Sequence, residues 1–155
     1  MLRNLNVARN LNVARRRILS TATDVTQTNA GFLRMSFNDK HADNLVLRAR
    51  VFKSPAGLAF LDSCPHILPS LSAFGNEVYG SIKSSLPTIK LQPKIPRGGL
   101  AFSEQGNYLC VFYGQTPAWP VEYFAQIEMG YEQLEGGNWK DLKVTREDPL
   151  AMESY

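Results

Sequence analysis

Cys64-Pro65-His66 sets a thiol and an imidazole two residues apart, a pairing that chemistry uses in two ways. A histidine that takes the thiol proton turns the sulfur into a nucleophile, and a thiolate with an imidazole nitrogen is half of a zinc shell. Either use needs further groups, an orienting partner for the imidazole or two more ligands. The other histidine is His41, and no acids cluster beside the pair. The plainer reading, a thiol at a helix end beside a surface histidine, is preferred, so no catalytic residue and no metal ligand is assigned. Asp62 and Glu77 make no recognisable acid and base pair. Gly98-Gly99 leads into a strand rather than a helix, so it does not cradle phosphate. No cofactor is expected, and Cys64 and Cys110 are read as free thiols, too few for a disulfide framework.

Charge narrows the function classes further. The net charge is +3, yet Arg3, Arg9, Arg15, Arg16 and Arg17 all precede the first acid, Asp24. From residue 20 onward there are 12 basic against 14 acidic residues, a net of −2. Such a body lacks the basic surface that phosphate neutralisation requires, and nucleic-acid binding is set aside. The arm itself, free of acids and followed by Ser20, Thr21 and Thr23, has the composition of a mitochondrial transit peptide. Within it Arg3–Ala8 (RNLNVA) is repeated as Arg9–Ala14; a six-residue period advances a helix by about 600° and so builds no single apolar stripe. Arg17-Ile18-Leu19-Ser20 resembles a matrix processing pattern. Residues 1–19 are therefore expected to direct the chain to the mitochondrial matrix or the matrix side of the inner membrane. No run of about 18 apolar residues is present to span a bilayer as a helix.

The remaining elements are short. A polar linker covers 20–30. Leu33, Met35 and Phe37 alternate with Arg34 and Ser36, and Leu45, Leu47, Ala49 and Val51 alternate with Arg48 and Arg50, which predicts two half-buried strands. Ser54-Pro55 places an N-cap before a proline at the first helical position, and the helix must stop ahead of Cys64-Pro65. Glu77–Lys83 reads as a strand after the turn at Phe74–Asn76, and residues 84–98 as a proline-rich loop with an edge strand at 89–91. Gly99–Phe102 and Tyr108–Tyr113 make a hairpin, and Val121–Glu128 a last strand. From Glu128 onward there are seven acids against Lys140, Lys143 and Arg146, with Gly136-Gly137 as a joint. Residues 129–155 are taken as an acidic extension in which Trp139, Leu142 and Val144 are isolated apolar positions able to dock on the body or on a partner.

The segments LDSCPHILP, FGNEVYGSI, GGLAF and GNYLCVFYGQTPAWPVEYFAQI follow one another in an order that resembles the small cyclophilin-like barrel family. The last is the most specific, with Phe112, Tyr113, Gly114, Thr116, Pro117, Pro120 and Val121 in the family's pattern. The resemblance implies a mainly β domain over 31–128, a closed eight-stranded barrel with one or two short helices. Few strands look guarded as edges by charge or proline, which also favours closure. True cyclophilins are prolyl isomerases, holding the proline ring on an aromatic floor while an arginine donates to the imide nitrogen. The isomerase motifs Phe-His-Arg and Phe-Met-x-Gln-Gly-Gly are missing here. Tyr79, Arg97, Phe102, Tyr113, Gln115 and Trp119 are the candidates for a substitute groove, with Arg97 as donor. The expectation is a binding module without catalysis, an accessory subunit of a mitochondrial assembly meeting a protein partner. The alternative is a divergent prolyl isomerase or a small-ligand-binding enzyme.

Overall fold

The structure, a computed structural model, describes residues 29–147; the arm, the processing pattern and nearly all of the linker lie outside the described residues. Its elements run β1 (Asn29–Asp39), β2 (Leu45–Phe52), α1 (Pro55–Asp62), β3 (His66–Leu68), β4 (Ser72–Ala73), β5 (Glu77–Ser81), β6 (Leu91–Gln92), β7 (Gly99–Ser103), β8 (Tyr108–Phe112), β9 (Val121–Ile127), a 3-10 turn (Tyr131–Leu134) and β10 (Trp139–Arg146). The strands form one antiparallel sheet in the order β3-β10-β1-β2-β9-β7-β8-β5-β4, with β6 added to β9.

Alternation works as the sequence predicts. Leu33, Met35 and Phe37 of β1 and Leu47, Ala49 and Val51 of β2 all turn inward to a core shared with Leu100, Phe102, Leu109, Val111 and Phe124. Each fully buried Leu or Phe contributes about 1.5–3 kcal/mol by leaving water. Helix α1 lies on β1, β2 and β9 and buries Ala56, Gly57, Phe60 and Leu61. The approach is close enough that a Cβ on Gly57 would sit 2.2 Å from the Phe52 carbonyl oxygen. Ser54 caps the helix, its Oγ accepting from the Gly57 N–H at 3.1 Å. Ser54→Ala is expected to cost about 1 kcal/mol of unfolding free energy, read as a lower urea midpoint with an unchanged slope.

Two expectations need correction. The sheet is curled but open, a half-barrel of ten strands rather than a closed barrel of eight. Its edges are the three-residue β3 and the two-residue β4, neighbours in the chain across Pro69–Leu71. Very short edges offer little unpaired backbone to another chain, so protection comes from brevity and not from closure. The residues after 128 are likewise no loose appendage through residue 146. Strand β10 pairs with β1 along its whole length and with β3 on its other side, and it buries Leu142 and Val144 completely. A bulge between Trp139 and Asp141 breaks its period, so the apolar positions do not alternate in the sequence.

Candidate functional site

Strands β5, β7 and β8 turn one face to the core, and their other face, partly covered by the chain that follows β8, carries aromatic side chains together with Glu77 and Ser103. On the outer face Glu77 and Tyr79 of β5 stand beside Tyr108, Cys110 and Phe112 of β8, through the pairs Glu77 with Phe112 and Tyr79 with Cys110. Ser103 of β7 faces Tyr108 in the next ladder. The segment Gln115–Pro120 then folds back over this face and brings Pro117, Ala118 and Trp119, while Phe74 arrives from the turn before β5. Together they enclose a pocket of about 320 Å³, aromatic in lining, with Phe74 and Trp119 still 56% and 41% exposed at its mouth.

The loop is anchored by backbone and by one side-chain relay. The N–H groups of Tyr113 and Gln115 both donate to the Asn76 carbonyl, at 2.9 and 3.2 Å. Gly75 takes φ +57°, and the Gln115 amide lies over it where a Cβ would collide. The Trp119 indole N–H donates to Ser103 Oγ at 2.8 Å, and that hydroxyl donates to the Gln105 carbonyl at 3.0 Å. The indole is thereby tied to β7.

Glu77 is 8% exposed. Burial pushes its carboxyl up to about 7, against a smaller opposing pull from a hydrogen bond with the Cys110 thiol. Burial and then the charge of Glu77 drive Cys110 far upward, so the thiol keeps its proton and is no nucleophile at neutral pH. The rings of Tyr79 and Tyr108 meet edge to face with centroids 5.0 Å apart. Among the described residues no Lys, Arg or His lines the pocket.

Of the six residues proposed for a groove, the pocket brings together Tyr79 and Trp119. Phe102 of β7 and Tyr113, the residue after β8, belong to the inner core. Arg97 is on the surface, paired with Glu135 at 3.1 Å and with its guanidinium 5.8 Å from the Tyr131 ring centre. Gln115 lies behind the loop against Gly75. The sequence does not mark Glu77, Phe74, Tyr108, Cys110 and Phe112 as pocket residues; the one available signal is the acid of EVY, two positions before Tyr79 in a strand. Glu122, also buried, serves structure, accepting from the Ile89 and Lys90 N–H groups at 2.7 and 2.8 Å to hold the chain ahead of β6.

The Cys64 and His66 pair plugs the end of α1. Cys64 Sγ donates to the Phe60 carbonyl at 3.3 Å, and burial pushes the thiol up to about 11. The imidazole is buried rather than on the surface, stacked on Phe60 with centroids 4.1 Å apart, with Nε2 beside Ser63 Oγ and the Phe60 carbonyl. Burial lowers its pKa, which keeps it neutral. Among the described residues no three His, Cys, Asp or Glu side chains are grouped to hold a metal ion.

A protein family described as cyclophilin-like is matched over residues 42–144, a span that takes in most of β10. Among solved structures, the solution structure of a hypothetical protein from Archaeoglobus fulgidus superposes with a TM-score of 0.58 at 16% identity, covering 78% of this chain and 98% of that one. No curated protein matches the chain.

Proposed function

Since the chain belongs to the cyclophilin-like family, we propose that it acts as a binding module without isomerase activity, an accessory subunit of a larger mitochondrial assembly. The observation behind this is an aromatic pocket whose wall, among the described residues, contains no cationic donor. Rotating a prolyl bond means crossing a barrier of about 20 kcal/mol, and an isomerase lowers it by donating to the imide nitrogen as resonance is lost. Here the indole N–H of Trp119 is committed to Ser103, and Arg97 is engaged with Glu135. What remains is a receptor, with Phe74 and Trp119 at its mouth for a partner's group to enter. The mitochondrial part of the reading rests on the composition of residues 1–19 and the net −2 of the rest.

A protease-coupled assay on a proline tetrapeptide is expected to give the uncatalysed rate, the same for the native chain and for Arg97→Ala. Acceleration that Arg97→Ala or Trp119→Ala removes would show an isomerase instead. Purification of the intact protein from mitochondria under native conditions is expected to yield a stable complex. Recovery solely as a free monomer would count against the subunit role.

A further inference from the structure

We propose that the pocket recognises an alkylammonium group, seated among the rings of Phe74, Tyr79, Tyr108, Phe112 and Trp119 with the Glu77 carboxylate as its counter-charge. This rests on the reading of the pocket as a binding site and adds the class of ligand. Five aromatic rings from strands β5 and β8, the turn before β5 and the covering loop meet in one cavity. Ring faces carry a partial negative charge and attract cations, most strongly where water is excluded. Among the described residues the same wall contains one carboxyl group, Glu77, which becomes charged as pH rises through about 7, and no Lys, Arg or His.

Three classes of ligand would meet this wall differently. An anion would face Glu77 with nothing to offset the repulsion. A neutral apolar group would fill the space yet leave the carboxyl desolvated and uncompensated, a costly state for a buried acid. A cation is attracted by ring and carboxylate together. The groups near Glu77 oppose none of this: Cys110 on β8 stays protonated and donates, Tyr79 shares its strand, and Tyr113, which lies on the core side yet senses the charges of Glu135 and Glu77, is held as the neutral phenol by burial. A volume of about 320 Å³ lies at the small end for ligand pockets, right for an ammonium head and a short chain. The group would come either from a free amine or from a lysine side chain, methylated or not, on a partner polypeptide.

The full chain is titrated with choline, with its uncharged carbon isostere 3,3-dimethylbutan-1-ol, and with a peptide carrying trimethyllysine, following the Trp119 indole N–H resonance. At pH 8 choline is expected to bind at least about tenfold more tightly than the isostere. That preference is expected to shrink in Glu77→Gln to what the rings alone supply and to fade in the native chain as pH drops below about 7, where Glu77 takes up its proton. Trp119→Ala, which removes that resonance and is therefore followed by calorimetry, should weaken binding of all three probes. Tighter binding of the peptide than of choline supports the proposal with a partner lysine as source, and the reverse order supports it with a free amine. Equal binding of choline and its isostere overturns the ammonium assignment and leaves the pocket a binding site. No response to any probe or to a proline tetrapeptide overturns both.

Discussion

A chain cut after Gly137 is expected to lose cooperative unfolding altogether, with flat thermal and urea curves where the intact protein shows a single transition. The cut removes β10 from between β1 and β3, so the inner ends of Leu33, Met35 and Phe37 lose Leu142 and Val144. Those two side chains alone account for about 3–6 kcal/mol of burial. Trp139, whose indole packs on Phe37 and donates to the Leu134 carbonyl at 2.9 Å, goes with them. Small domains are stable by about 5–15 kcal/mol, so the loss consumes most of it. Val144→Asp, which buries a charge at the same place, should act in the same direction. A shortened chain that melts as the full one does would return residues 138–155 to the status of an appendage.

Glu77→Gln is expected to stabilise the protein by about 3 kcal/mol at pH 8 and to change little at pH 4. In the unfolded chain this carboxyl releases its proton near 4.5, whereas in the pocket it does so at about 7. Between those values the folded state holds a proton that the unfolded state has lost. Stability from this group is therefore fully present below about 4.5 and is lost as pH rises through 7. Glutamine does not titrate and keeps an acceptor for the Cys110 thiol, so the gap between variant and native protein should open across that window. Paired urea titrations at pH 4, 6 and 8 measure it, and a gap that stays constant with pH would refute the assignment to Glu77. A residue that destabilises the fold at neutral pH and faces a cavity is the pattern expected of a binding group, since strain and desolvation tend to concentrate at functional sites.

Most of the fold was legible because its strands have one wet face. Arg34, Arg48 and Arg50 announce the outer face of β1 and β2, and the Ser54-Pro55 start of α1 needs no tertiary information. Strand β10 was hidden for two local reasons: the bulge after Trp139 shifts its apolar period, and Lys140, Lys143 and Arg146 give it the composition of a solvated tail. The site was hidden for the opposite reason. In YLCVFY and GLAF every position is apolar or aromatic, so nothing in the residue types says which of two adjacent aromatics turns to the core. Phe112 turns outward and Tyr113 inward, and Phe102 follows Leu100 to the inner side. Arg97, by contrast, has the chemistry of a donor, but its neighbours in the fold are Glu135 and Tyr131 rather than the pocket aromatics. Edge protection misled about closure because two- and three-residue strands are nearly invisible in sequence.

The ladder that joins β1 to β10 also dictates an order of events. The Asn38 amide donates to Asp141, 103 residues further on, and among the described residues no earlier strand occupies that flank of β1. A chain emerging from a ribosome, or drawn lengthwise through any narrow pore, therefore cannot complete its sheet until β10 has followed. Until then β1 presents an unsatisfied edge, and partners whose task is to keep unfinished chains apart have their longest window of contact there.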